Sequence, residues 1–255
     1  MQSSKQSPSH REYIAGVPCD FLSQPAYAQT TKDALQDNVL THIITLNAEM
    51  IVLAQKDNVF KTAIQHAELI IPDSAGILWA RQYARSKTSL LSFFLTKEQP
   101  LTGVDSIFLI CENLAQQHGI AYLIGGEESD KNKTAEILKE KYQNLEVIPL
   151  DDSFLETTSY ELQTNPAAIF VALGAPKQTL WVEGRRTQLE QAGIRIAIGV
   201  GGAFAMISGR LPRAPKWMRT AHLEWLWRLI LEPKRIARIW NAVVIFPKII
   251  SGYPH

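Results

Sequence analysis

The sequence has few residues that could stabilise a fold through covalent links or metal ligation. Only two of its 255 residues are cysteine, Cys19 and Cys111, and neither belongs to a CxxC or a Cys/His pattern. This argues against a zinc site or a disulfide framework and favours reduced thiols in a cytosolic protein. A chain of this length can bury a core large enough to be stable without such links.

Targeting signals and long apolar runs are also missing. The first residues, MQSSKQSPSHREY, are polar and lack the apolar stretch of a secretory signal. No run reaches the ~18 apolar residues that cross a bilayer. The longest candidates, residues 90–95 and 242–250, are short or interrupted by Pro247 and Lys248. We therefore expect a protein that does not span a membrane.

Several catalytic motifs are absent. The sequence has no Walker motif, no GxSxG elbow, no HExxH and no D-x-D pair that would hold a Mg²⁺-bridged diphosphate. The segment Gly199–Phe204 begins like a dinucleotide fingerprint, but Phe204 stands in place of the third glycine. A nicotinamide-dependent oxidoreductase is therefore a weak hypothesis, and we expect neither a metal nor a cofactor.

The net charge of +1 conceals an uneven distribution of charge. Residues 209–255 carry nine basic and two acidic side chains, which leaves 17 basic and 23 acidic side chains in the first 208 residues. An acidic body with a basic tail predicts that the tail meets an anionic partner. Nothing in the sequence indicates binding of nucleic acid, and whether the protein forms a homo-oligomer stays open.

Short apolar runs alternate with longer helical patterns along the first 210 residues. This alternation is typical of βαβ units, so the sequence predicts an α/β fold with a Rossmann-like, largely parallel sheet flanked by helices. The turns that join strand to helix contain Asn47, Asp73, Gly125, Gly174 and Gly201. In open α/β sheets such turns gather at one crevice, where helix N-termini suit phosphate. A nucleotide or phosphosugar site is the natural inference.

The polar residues at these turns each allow a structural and a functional interpretation. Asp73 is most simply a helix cap, but it is also placed to take a proton from an acceptor hydroxyl. Thr45 and Asn47 could cap a helix or bind sugar or phosphate. Gln178 lies in the first turn of a helix, where a solvated surface residue is the simplest interpretation.

Residues 211–255 predict a helical C-terminal segment that is both basic and aromatic. Arg228 precedes a break at Glu232-Pro233, and Arg235 and Arg238 follow it on one face. The apolar residues of this segment could pack on the core, could lie at a membrane surface, or could support arginines that close over a diphosphate. They are Trp225, Trp227, Ile236, Ile239, Trp240, Val243, Val244 and Phe246.

Several blocks, taken in order, resemble the bacterial WecG/TagA/CpsF family of glycosyltransferases. They are Thr45-Leu-Asn47, Pro72-Asp73, Thr102-Gly103-Val-Asp105, Ile124-Gly125-Gly126, Leu173-Gly174-Ala-Pro-Lys-Gln178, Gly199–Phe204, Gly209–Trp217 and Leu223–Arg238. The similarity covers roughly residues 15–240. The combination of GAPKQ, RAPxW and LEWLxRLxxEPxR is specific to the family.

The resemblance implies an inverting, metal-independent enzyme that moves a sugar such as N-acetylmannosamine from a UDP-sugar to a polyprenyl-diphosphate-linked sugar in cell-envelope polymer synthesis. It implies that Asp73 is the catalytic base. It further implies a catalytic domain over residues 1–210 and an appendage over 211–255 that docks on the inner face of the cell membrane. The substrate-binding residues it implies are Thr45, Asn47, Gly103, Asp105, Gly125, Gly174, Gln178, Gly201, Arg213, Arg228, Arg235 and Arg238.

The sequence departs from the usual family pattern at four positions. Ser74 replaces a glycine after the Pro-Asp pair, Thr179 replaces a glutamate, and Ala205 replaces an aspartate. Pro100 stands where an arginine is common, so that Arg81 or Arg85 would have to substitute. We expect an active enzyme with an altered sugar preference; the alternative is a nucleotide-sugar-binding protein that has lost catalysis.

Overall fold

The fold is built on a parallel sheet, seen in a computed structural model that describes residues 11–86, 98–151 and 165–253. Six strands follow the order β4-β3-β8-β7-β5-β6, and every neighbouring pair is parallel. The predicted α/β fold is confirmed. The strands are β1 (Arg11–Ile14), β2 (Val17–Asp20), β3 (Thr41–Leu46), β4 (Leu69–Pro72), β5 (Ile120–Gly125), β6 (Glu146–Pro149), β7 (Ala167–Ala172) and β8 (Ile194–Gly199).

Helices cover the sheet and form the C-terminal segment. They are α1 (Gln24–Gln36), α2 (Ala48–Ala54), α3 (Asn58–Gln65), α4 (Ala75–Ser86), α5 (Gly103–Ala115), α6 (Glu128–Lys141), α7 (Lys177–Glu183), α8 (Arg186–Gln191), α9 (Ala203–Ile207), α10 (Lys216–Thr220), α11 (Glu224–Leu231), α12 (Ile236–Trp240) and α13 (Phe246–Gly252). A 3₁₀ turn (Pro233–Arg235) joins α11 to α12, and a π-helical turn (Asn241–Ile245) joins α12 to α13.

Local sequence signals explain where many of these elements begin. The side chains of Asn47, Asp57 and Thr102 accept hydrogen bonds from the backbone of Met50, Phe60 and Asp105 and so cap α2, α3 and α5. The central strands β3, β5 and β7 are buried on both faces, as parallel strands between two helical layers should be. The apolar stretch at 90–95 lies outside the described residues.

An N-terminal hairpin of β1 and β2 packs beside the sheet and was not predicted from the sequence. The Arg11 guanidinium donates to both carboxylate oxygens of the fully buried Asp20 at 2.7 Å, and Asp20 accepts from the backbone of Ile70 in β4 at 2.8 Å. Arg11 also donates to the carbonyl of Glu68. The hairpin is thus held to the body by this charged network and by the burial of Ile14, Val17 and Cys19 in an apolar cluster, and not by strand pairing with β4.

The C-terminal segment, residues 211–253 here, divides its apolar residues between two environments. Phe246 and Ile250 are buried in a cluster with Ala48, Met50 and Trp79 of the body. Ile236 and Trp240, one turn apart on α12, are 64% and 59% exposed. Among the described residues, no helix combines the length and apolarity needed to cross a membrane.

Candidate active site

A cavity of about 990 Å³ lies beyond the carboxyl ends of β3, β4, β7 and β8. This is the edge at which open α/β sheets bind ligands. Its floor is made by the turns that contain Asn47, Asp73, Gly174 and Gly201, and α11, α12 and the start of α13 border it on the other side. The C-terminal segment is therefore a wall of the site and not a separate extension.

Asp73 lies on the cavity floor immediately after β4. Its carboxylate Oδ1 accepts a hydrogen bond from the backbone N–H of Gly103 at 3.2 Å, and its own N–H donates to the carbonyl of Leu46 at 2.8 Å. Burial raises the pKa of Asp73 to about 8, although Arg228 and the Gly103 bond favour the ionised form. A carboxyl group with a pKa near neutrality can exchange a proton with a substrate hydroxyl.

Gln178 connects the two glycine turns that follow β7 and β8. Its Oε1 accepts from the N–H of Gly174 and from the N–H of Gly201, both at 3.1 Å. The side chain is 4% exposed, so the interpretation as a solvated surface residue is wrong. Both glycines have positive φ, 73° and 53°, which a residue with a Cβ rarely adopts. Gln178 thus fixes the shape of the floor as well as lining it.

Thr45 and Asn47 reach the cavity from the end of β3, and each already makes a structural bond. The Thr45 hydroxyl donates to the carbonyl of Gly199 at 2.8 Å and ties β3 to β8. The Asn47 Oδ1 accepts from Met50 at 3.1 Å as the cap of α2. Its amide NH₂ is the group left to donate to a ligand.

Three arginines of the C-terminal segment face this floor. Arg228 lies close to Gly202 and donates to the sulfur of Met206 at 3.4 Å. Arg235 pairs with Glu232 at 3.3 Å, and Arg238 pairs with Glu49 at 3.4 Å. Burial and the nearby Arg235 lower the pKa of Arg228. Closely spaced guanidinium groups of this kind, bordering a cavity, are suited to a ligand with several negative charges.

Gly103, Asp105 and Arg213 lie together at the mouth of the cavity. Arg213 donates to both oxygens of the Asp105 carboxylate, at 3.0 and 3.1 Å, and so ties residue 213 to the first turn of α5. A side chain at Gly103 would be crowded, since a Cβ there would lie 3.1 Å from the carbonyl oxygen of Val200. All three residues line the cavity, but their hydrogen bonds go to other residues of the protein and hold the walls of the cavity together.

The chain is similar to one protein family over nearly its whole length. The model of the glycosyl transferase WecG/TagA/CpsF family matches residues 12–251. The chain belongs to this family. Three curated relatives are similar over most of their length, and each is named N-acetylglucosaminyldiphosphoundecaprenol N-acetyl-beta-D-mannosaminyltransferase.

The relatives come from three bacteria. The protein of Bacillus spizizenii is 25% identical, over 92% of this chain and 86% of its own. The protein of Bacillus subtilis is 27% identical, over 81% of this chain and 76% of its own. That of Staphylococcus aureus is 27% identical, over 99% and 97%. The similarity therefore includes the C-terminal segment as well as the sheet.

For this glycosyltransferase, eleven of the twelve residues that the resemblance implies bind substrate line this one cavity. Gly125 is the exception, because it ends β5 against Leu173 and Ala172 and does not line the cavity. Sequence reasoning missed the cavity-lining residues Glu49, Arg219, His222, Glu224 and Trp225. Glu49 could have been found as an acidic residue in the first turn of a helix that starts at the crevice. Glu224 and Trp225 belong to the family-like block Leu223–Arg238, but no local pattern assigns them, Arg219 or His222 to the cavity.

The four departures from the family pattern fall in different places. Thr179 and Ala205 are buried and do not line the cavity, whereas Ser74 and Pro100 do. Arg81 lines the cavity and pairs with Glu12 and with Glu98, which lies two residues before Pro100 in the sequence. Arg85 is 61% exposed, binds Glu12 and lies outside the cavity lining, so Arg81 is the better placed substitute.

The described residues show no grouping suited to a metal. Within residues 11–86, 98–151 and 165–253, no three side chains of histidine, cysteine, aspartate or glutamate come close enough together to hold a metal ion. The positive charge that faces the cavity comes from its arginines.

Proposed function

We propose that this protein transfers an N-acetylated hexosamine, of the N-acetylmannosamine type, from a UDP-sugar to a polyprenyl-diphosphate-linked sugar. The observation that carries the proposal is the placement of Asp73 on the cavity floor with three arginines of the C-terminal segment around the same space. The family and the names of the relatives indicate the class of donor and acceptor.

In the proposed reaction, the acceptor hydroxyl attacks the anomeric carbon of the donor from the face opposite UDP. The bond from that carbon to the diphosphate oxygen breaks, the configuration inverts, and the hydroxyl proton passes to the Asp73 carboxylate. Arg228, Arg235 and Arg238 stabilise the negative charge that develops on the departing diphosphate. In this proposal the arginines supply the positive charge and no metal is required.

We also propose that residues 1–210 form the catalytic domain and that residues 211–255 dock on the inner face of the cell membrane. Two features support docking: the segment is strongly basic, and α12 turns Ile236 and Trp240 outwards. Exposed aromatic and aliphatic residues beside basic ones suit an anionic lipid surface. The acceptor is anchored in that surface, so a docked enzyme would meet it there.

A UDP-release assay with a short-chain prenyl-diphosphate N-acetylglucosamine acceptor tests the proposal across a set of UDP-sugars. We expect acceptor-dependent release that falls by a factor of about 10³ in Asp73→Asn, which removes the base but keeps the side-chain shape. Binding of UDP should change little in this variant. Wild-type turnover in Asp73→Asn would contradict the role of Asp73. Binding of UDP-sugars without any release would instead favour the binding protein that has lost catalysis.

A further inference from the structure

Arg219 lines the cavity without an acidic partner among the residues that the structure describes. The residue is half-buried at the end of α10. Its Nε donates to the carbonyl of Ala214 at 3.1 Å, which leaves the two terminal nitrogens of the guanidinium group as donors for a ligand.

The other arginines of the cavity differ from Arg219 in this respect. Arg81, Arg213, Arg235 and Arg238 each have a carboxylate oxygen within 3.5 Å. Arg228 interacts electrostatically with Asp73 and with two glutamates. Arg219 is therefore the cavity arginine whose charge no carboxylate of the described residues compensates, and a ligand with negative charge would compensate it.

The guanidinium group of Arg219 lies beside that of Arg213 in the chain's path along the cavity mouth. Its partner Ala214 directly follows Arg213, which bonds Asp105 in the first turn of α5 at 3.0 and 3.1 Å. The charge of Arg213 is thus matched by Asp105, whereas that of Arg219 is not. The two arginines belong to the part of the cavity that the start of α5 forms.

The arginines of α11 and α12 approach the cavity at other elements. A Cβ built on Gly202, after β8, would lie 3.2 Å from Nη1 of Arg228, and one built on Gly174, after β7, would lie 3.9 Å from Nη2 of Arg238. Asp73 is linked to both groups, because it accepts from the first residue of α5 and interacts electrostatically with Arg228. The cavity therefore has two basic groups, at different elements, around one catalytic carboxylate.

The proposed reaction brings two diphosphates to the surroundings of Asp73. The donor diphosphate is attached to the anomeric carbon that reacts, and the acceptor diphosphate is attached to the sugar whose hydroxyl reacts. The second diphosphate is separated from the reacting hydroxyl by one sugar ring, so it must also lie in or at the mouth of this cavity. Arg228, Arg235 and Arg238 are assigned to the departing diphosphate, which leaves the acceptor diphosphate in need of a cation of its own.

We propose that Arg219 binds the diphosphate of the lipid-linked acceptor. Its terminal nitrogens donate charge-assisted hydrogen bonds to the phosphate oxygens. Trp217, two residues earlier in α10, is 65% exposed, and an aromatic side chain on the outside of the mouth suits a diphosphate that continues into a prenyl chain. The identity of the ligand rests on the proposed function, and donor and acceptor share the diphosphate chemistry, so the experiment has an arm for each.

Two variants separate the charge of Arg219 from its structural bond. Arg219→Gln removes the charge, while Arg219→Lys keeps a positive charge but loses the guanidinium N–H that bonds Ala214. Arg85→Gln is the matched control, because it removes an arginine charge that lies outside the cavity lining and is 61% exposed.

The measurement is the dissociation constant of the full-length protein by calorimetry, which does not depend on turnover. The acceptor arm uses short-chain prenyl-diphosphate N-acetylglucosamine, and the donor arm uses UDP. We expect Arg219→Gln to weaken acceptor binding about tenfold, the effect of about one charge-assisted hydrogen bond, and to leave UDP binding unchanged. Arg219→Lys should keep most of the acceptor affinity, and Arg85→Gln should keep all of it. Sedimentation with phosphatidylglycerol vesicles tests lipid headgroups as a third source of phosphate.

The outcomes separate this inference from the proposed function. Unchanged acceptor binding in Arg219→Gln would overturn the assignment, whether or not binding of UDP or of vesicles is weakened instead. An equal loss of acceptor affinity in Arg219→Gln and Arg219→Lys would also overturn it, since the bond to Ala214 would then be what matters. A wild-type protein whose acceptor binding depends on the charge of Arg219 but which transfers no sugar would overturn the proposed function and leave this assignment supported.

Discussion

Opposing electrostatic effects determine the pKa of Asp73. Desolvation favours its neutral form and raises the pKa to about 8, while the charge of Arg228 and the N–H of Gly103 favour the carboxylate. Glu224, another acidic group at the cavity, raises the pKa further. The position of the proton on Asp73 therefore depends on which charges occupy the cavity.

At the level of this residue, the rate should depend on pH. A general base must be ionised, so kcat/KM should rise with pH and level off above a midpoint near 8. Arg228→Gln removes a charge that favours the carboxylate and should move this midpoint to higher pH. Arg85→Gln, outside the cavity, should leave it in place. Profiles between about pH 5.5 and 9.5 measure both; a midpoint that Arg228→Gln leaves unmoved would contradict the coupling.

The raised pKa of Asp73 also predicts how the stability of the fold depends on pH. The folded protein holds the Asp73 proton more tightly than the unfolded chain does, so this group favours folding most at acidic pH. Its contribution falls as the pH rises and is lost above about 8. Asp73→Asn, which cannot ionise, should therefore melt about 5 °C above the wild type at pH 9, with a smaller difference at pH 6. Parallel melting curves at the two pH values would contradict this assignment.

Single residues differ in how far the sequence reveals them. Asp73 can be predicted to lie at the crevice because it stands between a buried apolar run and a helical pattern. In a parallel sheet, such strand-to-helix turns lie at one edge. The bonds of Gln178 to Gly201 and of Thr45 to Gly199 join residues 23 and 154 positions apart. No local pattern encodes such partners, which depend on strand order. His222 and Glu224 reach the cavity only because the C-terminal segment folds back.

At the level of elements, the turns after β7 and β8 act as one unit through Gln178. In Gln178→Met the two N–H groups of Gly174 and Gly201 lose their acceptor with little change in volume. We expect a loss of about 1–3 kcal/mol in the free energy of unfolding and a weaker affinity for UDP. Gln178→Glu keeps an acceptor oxygen and should retain more of the stability. Chemical denaturation measures the stability and calorimetry the affinity. Equal stability of the wild type and both variants would contradict the role of Gln178 in joining the two turns.

The strands and helices of the sheet could be predicted better than the elements around it. Apolar runs such as residues 167–172 and caps such as Asn47 and Thr102 carry clear periodic or chemical signals. The hairpin of β1 and β2 has only four residues a strand, and its charged network with β4 depends on distant residues. The C-terminal apolar residues look like one stripe in the sequence, but Phe246 is buried while Ile236 and Trp240 are exposed.

For the whole molecule, the proposed membrane docking predicts that the exposed apolar face of α12 contributes to vesicle binding. Replacing both Ile236 and Trp240 by serine should leave the fold intact, since neither is buried, and should weaken binding to phosphatidylglycerol vesicles about tenfold. Val59→Ser is the matched control, because Val59 is 71% exposed on the body. Vesicle sedimentation measures the bound fraction. Equal binding of the double variant and the wild type would contradict membrane docking through α12.

The position of Arg228, Arg235 and Arg238 has a thermodynamic consequence for the whole chain. These arginines are carried by a segment whose far end is fixed by Phe246, so a nucleotide bound to them as proposed would also hold the segment against the body. Nucleotide affinity and segment closure are then linked, and each must change the other by the same factor. Resistance of residues 211–253 to a protease should grow with nucleotide occupancy, and any surface that pulls the segment away should speed the release of UDP.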